Sequence, residues 1–314
     1  MITGGAGFIG SHLSELLLNQ GNEIICLDNF NDYYDPQIKR RNIESLLQHK
    51  NYTLIEGDIL NLELMRQIFQ KQNINIVVHL AARAGVRPSI YQPLLYQEVN
   101  VQGTTNLLEL SKDFKVEKFI FGSSSSVYGE NKNVPFHEDD NVDHPISPYA
   151  ATKKSGELIC YTYYHLYNLP VTCLRFFTVY GPRQRPDMAI YKFTKCIYNQ
   201  EIITMFGDGN SRRDYTFITD IVDGIIKAIE HCQGYHIYNL GESKTIKLKK
   251  LIALIANCLG KEPVIKQLPV QPGDVPITYA DISKAQEEIG FLPKIGIEPG
   301  IERFVKWYTD MASY

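Results

Sequence analysis

The chain has 314 residues, 44% hydrophobic and 21% charged, with a formal net charge of −3. That length and apolar content allow either one large domain or two modest ones with a sizeable core. The near-neutral balance gives no electrostatic reason to bind nucleic acid, and no apolar window approaches the length that spans a bilayer.

The chain opens on TGGAGFIG (3–10), which sets Gly4, Gly7 and Gly10 as G-x-x-G-x-x-G ahead of an amphipathic helical pattern at about 11–20. Such glycines allow a tight turn, a close backbone approach to a pyrophosphate, and close packing of a helix on a sheet, while the helix N-terminus offers free N–H groups. Only Met1, Ile2 and Thr3 precede Gly4, so either the first strand is unusually short or the start has lost a few residues. The opening residues lack the charged and apolar regions of a signal peptide.

EIICL (23–27), YTLIE (52–56), NIVVHL (75–80), EKFIFG (117–122) and PVTCLRF (170–176) read as buried strands, separated by helical patterns at about 61–72, 91–113 and 149–167. Strands that are apolar along both faces, alternating with helices, predict a doubly wound parallel sheet of the Rossmann type. After Phe177 proline and glycine become frequent and the strands shorten, but TDIVDGIIKAIEHC and YHIYNLG (219–241) return to helix and then buried strand. The expected division is therefore 1–176 plus about 217–241 as the dinucleotide-binding domain, with about 177–216 and 242–314 as a smaller α+β domain. The six cysteines show no C-x-x-C and read as reduced, buried thiols of a cytoplasmic protein. The eight histidines have no metal-ligand spacing, so no metal is expected, and His79 within IVVHL reads as a satisfied core residue.

Asp28 ends the second strand, where a carboxylate can accept hydrogen bonds from an adenosine ribose and repel a 2′-phosphate, which favours NAD over NADP. Asp58 follows the third strand and is either an adenine-side group or a turn carboxylate. SPYAATKK (147–154) places Tyr149 four residues ahead of Lys153, behind a proline that can start a helix. Residues i and i+4 share a helix face about 5–6 Å apart, which alone describes many ordinary surface pairs. Here GSSSSVYG (122–129) leaves a strand at the end where ligands bind in such sheets, and it presents Ser124 there. An enzyme that oxidises an alcohol must remove the hydroxyl proton as the hydride departs. A free tyrosine, with a pKa near 10, is about three units too high for a base at neutral pH, roughly 4 kcal/mol. A lysine ammonium one turn away and a cationic nicotinamide reduce that gap, and Ser124 can share or relay the proton. Ser124, Tyr149 and Lys153 therefore make one candidate catalytic unit.

Over essentially its whole length the chain resembles the extended short-chain dehydrogenase/reductases, and within them the nucleotide-sugar 4-epimerases, most of all the UDP-glucuronate 4-epimerases. The likeness rests on TGGAGFIGSH, LDNFNDYYD, HLAARAGVR, GSSSSVYG, VDHP, YAATKK, LRFFTVYGPRQRPDMA, RRDYTFITDI and QPGDVP. It implies NAD held by Gly4, Gly7, Phe8, Ile9, Gly10, Asp28, Asn29, Asn31, Asp58, Ile59, Leu80, Ala81, Ala82, Asn100, Tyr149, Lys153 and Phe176. It further implies a UDP-sugar substrate whose sugar meets Ser124, Ser125, Ser126 and Tyr149. Thr178 and Arg213 would contact the pyrophosphate, Met188, Thr204 and Phe206 the uracil, and Asp274 the uridine ribose. Arg185 would face the C5 substituent of the sugar, where a bidentate pair with a carboxylate is possible, and Arg87 is a second candidate anion contact. Residue type alone leaves core packing open for Met188 and Phe206, and a solvated surface position for Arg87 and Arg185. Two long helices resemble those of a four-helix dimer interface, so a homodimer is expected.

The implied reaction oxidises the sugar at C4, lets the 4-keto sugar turn about its pyrophosphate link, and returns the hydride to the other face. A 4,6-dehydratase would need an Asp–Glu pair after Ser124, where this chain has Ser125 and Ser126. A UDP-glucose or UDP-N-acetylglucosamine 4-epimerase remains the main alternative. Its arginine three residues before the aspartate of the GD segment is replaced here by Gln271. A UDP-glucuronate decarboxylase would share the 4-keto intermediate, and a non-catalytic NAD-binding protein would share the scaffold.

Overall fold

The computed structural model describes residues 1–270 and 275–312. Its strands are β1 (Ile2–Thr3), β2 (Ile24–Asp28), β3 (Tyr52–Glu56), β4 (Ile76–His79), β5 (Lys118–Ser124), β6 (Val171–Phe176), β7 (Thr178–Tyr180), β8 (Ile202–Phe206), β9 (Arg212–Phe217), β10 (Tyr235–Leu240), β11 (Thr245–Lys247) and β12 (Val264–Leu268). Seven of them form one parallel sheet in the order β3-β2-β1-β4-β5-β6-β10. β1 is only two residues long, yet it pairs with β2 on one side and β4 on the other. The strand order reverses there, which puts the ligand crevice of a doubly wound sheet beyond the C-terminal end of β1.

Helices α1 (Phe8–Asn19), α2 (Pro36–Ile43) and α3 (Leu62–Lys71) follow the first three strands. The long helix expected at 91–113 is instead divided into α4 (Val86–Tyr91), α5 (Pro93–Gln97), a π-helical turn at Glu98–Gln102, and α6 (Gly103–Asp113). Pro93 is the cause of the first break. It has no N–H to donate and disfavours helical geometry in the residue before it, and Gln92 sits at φ −131°, ψ 48°. Further on are α7 (Pro148–Tyr167), α8 (Ala189–Tyr198), α9 (Ile218–Glu230), α10 (Leu248–Leu259), α11 (Ser283–Ile289) and α12 (Ile297–Ala312).

Contacts divide the chain into two compact units, one of Met1–Glu130, Glu138–Arg175 and Val222–Tyr238, the other of Asn131–His137, Phe176–Ile221 and Asn239–Tyr314. The first has its core under the parallel sheet, where Val77, Phe119, Phe121, Leu107, Leu108, Val171 and Cys173 are buried together. His79 is buried there as well and bonds Thr3 Oγ1 through Nδ1 (2.8 Å) and Thr104 Oγ1 through Nε2 (3.0 Å). Burial holds its pKa down at about 3, so the ring is neutral. The second unit carries β9 between β7 and β11, a separate β8–β12 pair, and an aromatic cluster in which Tyr191 meets Tyr308 at 5.3 Å. Cys26, Cys160, Cys173 and Cys232 are buried, but Cys196 is half-buried and Cys258 is exposed. Cys258 departs from expectation because it lies in the last turn of α10, past the buried Leu251, Ile252, Ile255 and Ala256. Among the described residues no helix is long and apolar enough to cross a membrane.

Candidate active site

The glycine loop joins β1 to α1. Gly4 has φ +67°, and a Cβ on it would lie 2.9 Å from the Ala81 nitrogen. A Cβ on Gly10 would stand 2.4 Å from the Gly4 oxygen and 2.7 Å from Gly5 Cα, so this glycine lets the helix sit against the turn. Gly7 differs: its φ is −71°, and the nearest atom to a Cβ placed there would be Gly4 O at 3.1 Å. The backbone there is unstrained, but a Cβ would press on the Gly4 oxygen, and a phosphate approaching the backbone would add to that demand for glycine. Gly7 is also the N-cap of α1 and no side chain caps the helix, which leaves its first N–H groups for an anion. These residues fit a dinucleotide pyrophosphate.

Phe8 is buried and Ile9 half-buried in the first turn of α1. Asp28 is buried at the end of β2, where its Oδ2 accepts the Ala6 N–H (3.2 Å) and its Oδ1 accepts the Phe30 N–H (3.0 Å) and the Lys39 ammonium (3.0 Å). Asp58 Oδ2 accepts from Asn29 Nδ2 at 2.7 Å, and Asn29 Oδ1 accepts from Asn31 Nδ2 at 2.8 Å. Asn29, Asn31 and Asp58 thus form one partly exposed polar group, with Ile59 buried behind it. Leu80, Ala81 and Ala82 are half-buried beyond β4. Leu80 N–H donates to Thr3 O (3.1 Å) and Ala81 N–H to Thr3 Oγ1 (3.2 Å). Asn100, in the π-helical turn, gives both amide hydrogens to protein acceptors, Arg83 O and Thr152 Oγ1, each at 3.0 Å, and accepts the Arg83 N–H at 2.8 Å. It braces the loop after β4 against α7. Arg87 is half-buried in α4, and Phe176 ends β6, half-buried.

Ser147 caps α7 through its bond to the Ala150 N–H (3.1 Å), and Pro148 takes the first helical position, where its missing N–H costs nothing. Tyr149 is therefore in the first turn. It is half-buried, with its ring edge-on to Tyr96 at 6.2 Å. Lys153 lies one turn on and is 5% exposed, its Nζ bonded to Gly122 O at 2.6 Å. Burial pushes this ammonium from its usual 10.5 to about 8. Gly122 lies two residues before Ser124 in β5, so this bond ties the helix to the strand end that carries the serines. Ser124 Oγ accepts the Ser126 N–H and donates to Ser126 Oγ, both at 3.1 Å. Ser125 and Ser126 are half-buried in the short 3-10 turn that follows.

In the second unit Thr178 opens β7, paired with Tyr215 of β9. Thr204 is exposed and Phe206 half-buried on β8, and Met188 is the half-buried N-cap of α8. Arg213 is half-buried on β9, with Nη1 bonded to Arg212 O at 2.9 Å. Arg185 makes a two-pronged pair with Asp187, Nε to Oδ1 at 2.9 Å and Nη2 to Oδ2 at 2.7 Å. Asp274 and Gln271 lie outside the described residues. Among the described residues no group of three or more His, Cys, Asp or Glu side chains forms a metal site.

Three side chains at these places escaped the sequence reading. Lys39 neutralises Asp28 from a helix eleven residues away, with no local signal to announce it. Glu157 and Arg175 form a fully buried ion pair beneath the serine segment. That pair had a signal: an arginine inside the apolar run PVTCLRF must find a buried acceptor.

The GDP-mannose 4,6-dehydratase family model matches residues 1–304. The chain is 45% identical to a UDP-glucuronate 4-epimerase of Thermodesulfobacterium geofontis over 99% of this chain and 96% of that protein. A UDP-glucuronic acid 4-epimerase from Bacillus cereus, solved with UDP-glucuronic acid and NAD, superposes with a TM-score of 0.93 at 37% identity, covering 99% of this chain and 98% of that one. A UDP-glucose 4-epimerase from Thermotoga maritima, solved with UDP-glucose, gives 0.90 at 34% identity over 99% and 98% of the two chains.

Proposed function

This chain belongs to the GDP-mannose 4,6-dehydratase family, and from that premise we propose that it is an NAD-dependent UDP-sugar 4-epimerase that interconverts UDP-glucuronate and UDP-galacturonate. The carrying observation is the helix α7, which sets Tyr149 one turn ahead of a buried Lys153 whose ammonium is anchored to Gly122, beside the serine segment. Bound NAD supplies a reversible hydride acceptor for C4 of the sugar. Tyr149 takes and returns the C4 hydroxyl proton. Lys153 holds a positive charge next to the tyrosine, which favours its ionised form, and is the residue that would bond the ribose of bound nicotinamide. Ser124 orients the C4 hydroxyl, its Oγ already placed by the Ser126 amide.

The family is named for a dehydratase, but elimination across C5 and C6 needs an acid and a base after Ser124. Ser125 and Ser126 occupy those positions, and neither hydroxyl titrates near neutral pH, so oxidation followed by reduction is the chemistry these residues support. Gly4, Gly7, Gly10, Asp28 and the Asn29–Asn31–Asp58 group are the cofactor-holding residues of this reading. Thr178 and Arg213 hold the pyrophosphate, Met188, Thr204 and Phe206 the uracil, and Arg185 the sugar carboxylate. The exposed apolar side chains Leu158, Tyr161, Leu166 and Tyr167 on α7 support a homodimer, in the reducing cytoplasm where unpaired thiols persist.

One observation favours a second reading, a UDP-glucose 4-epimerase: the Nε–Nη2 edge of the Arg185 guanidinium is already engaged by Asp187. Both are tested by incubating the purified protein with UDP-glucuronate, with no NAD added, and following the sugar by NMR. Conversion to UDP-galacturonate is the expected result. Release of CO₂ would identify a decarboxylase, and turnover of UDP-glucose alone would establish the second reading.

A further inference from the structure

Arg175 is the last residue but one of β6, 1% exposed, in a strand that also buries Val171, Cys173 and Leu174. Its partner Glu157 is 0% exposed on α7, one turn beyond Lys153. The pair is two-pronged, Nε to Oε1 and Nη2 to Oε2, both at 2.9 Å. Stability alone is a poor reason for such a pair. Breaking a buried ion pair costs about 3–5 kcal/mol, yet apolar residues of the same volume often serve equally well or better. What an apolar pair cannot supply is direction, and here the directed bonds converge on one segment. Glu157 Oε1 also accepts the Ser123 hydroxyl at 2.7 Å. Arg175 Nη1 donates to the Tyr128 hydroxyl at 3.0 Å and to Glu138 O at 3.1 Å, and its guanidinium lies 4.9 Å from the centre of the Tyr128 ring. Ser123 and Tyr128 flank Ser124, Ser125 and Ser126 on either side. Lys153 and Glu157, on successive turns of α7, then bond Gly122 and Ser123, successive residues of β5.

We propose that Glu157 and Arg175 are positioning residues that hold the serine segment 124–126 in register with the turn of α7 that carries Tyr149 and Lys153. Neither touches the substrate. They act by clamping both ends of the segment that does, an assignment that rests on the epimerase reading for its kinetic consequence. A displacement of about 1 Å at reacting groups lowers turnover by about 100-fold, so loss of the clamp reads as a fall in kcat with substrate binding little changed.

The test uses the full chain with Ser123→Ala and Tyr128→Phe, each of which removes one hydroxyl from the clamp, and the double variant Glu157→Met with Arg175→Met, which replaces the ion pair by apolar side chains. Turnover and KM for UDP-glucuronate, melting temperature, and hydrogen exchange at amides 122–130 are measured for each. The expected result is a kcat about 10- to 100-fold lower in the double variant, with KM within about threefold of wild type and the melting temperature retained. The single variants show smaller losses in the same direction, and exchange quickens at 122–130 in all three. A double variant with wild-type kcat and wild-type exchange overturns the proposal, and so does a kcat loss that only tracks a lowered melting temperature. If the wild type fails to turn over the acid, the epimerase reading falls, while the exchange at 122–130 still decides whether the clamp exists.

Discussion

Replacing Lys153 by methionine separates the demands of catalysis from those of folding. Burial lowers the ammonium from 10.5 to about 8, a difference of about 2.5 units, and at about 1.4 kcal/mol per unit the buried charge costs the native state about 3 kcal/mol below pH 8. Between pH 8 and 10.5 the unfolded chain binds this proton and the native chain does not, so the wild type gains stability as pH rises through that window. Above 10.5 the penalty is gone. Methionine has similar length and no charge, but it abandons the bond to Gly122 O, which leaves a buried carbonyl short of a partner at about 1–2 kcal/mol. The variant is therefore more stable than wild type by about 1–2 kcal/mol at pH 7, and less stable by a similar amount at pH 10.5. Urea denaturation of both proteins at pH 7, 9 and 10.5, after removal of bound dinucleotide, measures the difference, since a ligand held by one protein alone would bias it. Turnover falls at least about 100-fold, as expected when a base loses the charge that tunes it. A variant less stable than wild type at pH 7 would refute the reasoning, because it would mean that the ammonium is held by more than it loses in leaving water.

Three further outcomes follow from the same geometry. Tyr149→Phe abolishes epimerisation while the purified protein keeps its NAD, seen as unchanged absorbance near 260 nm relative to 280 nm. Gly10→Ala forces a Cβ to 2.4 Å from the Gly4 oxygen, a backbone atom that cannot turn aside, so the variant is purified without NAD. Arg185→Ala raises KM for UDP-glucuronate at least tenfold, the worth of about 1.4 kcal/mol, and leaves UDP-glucose turnover nearly unchanged; equal loss with both sugars would remove Arg185 from carboxylate recognition.

Glu157 and Arg175 show where sequence reading stops. Arg175, inside an apolar strand, demands a buried acceptor without saying which, while Glu157 is an ordinary helix glutamate by its neighbours, and the two become one object only when α7 packs on the sheet. Gly156 permits that packing, since a Cβ there would lie 2.3 Å from the Phe121 ring. The π-helical turn around Asn100 is similar. The apolar pattern at 91–113 reads as one helix, but Pro93 breaks it and the contacts of Asn100 with Arg83 and Thr152 belong to other elements. Arg185 is a third instance: its motif was visible, while its engagement with Asp187 depends on how the loop before α8 folds.

Whatever depends on short spacing and local pattern is legible along the chain. Near-continuous apolar runs demand strands buried on both faces, the glycine spacing sets the turn before α1, Ser147 and Pro148 start α7, and the four-residue step from Tyr149 to Lys153 puts both on one face of it. The partners of the buried charges come instead from how distant segments pack: Lys39 for Asp28, Gly122 for Lys153, and Glu157 for Arg175. The reason is energetic. A charge withdrawn from water must be met by a directed partner, and the chain supplies that partner from whichever segment the packed core brings within about 3 Å, however distant it is in sequence.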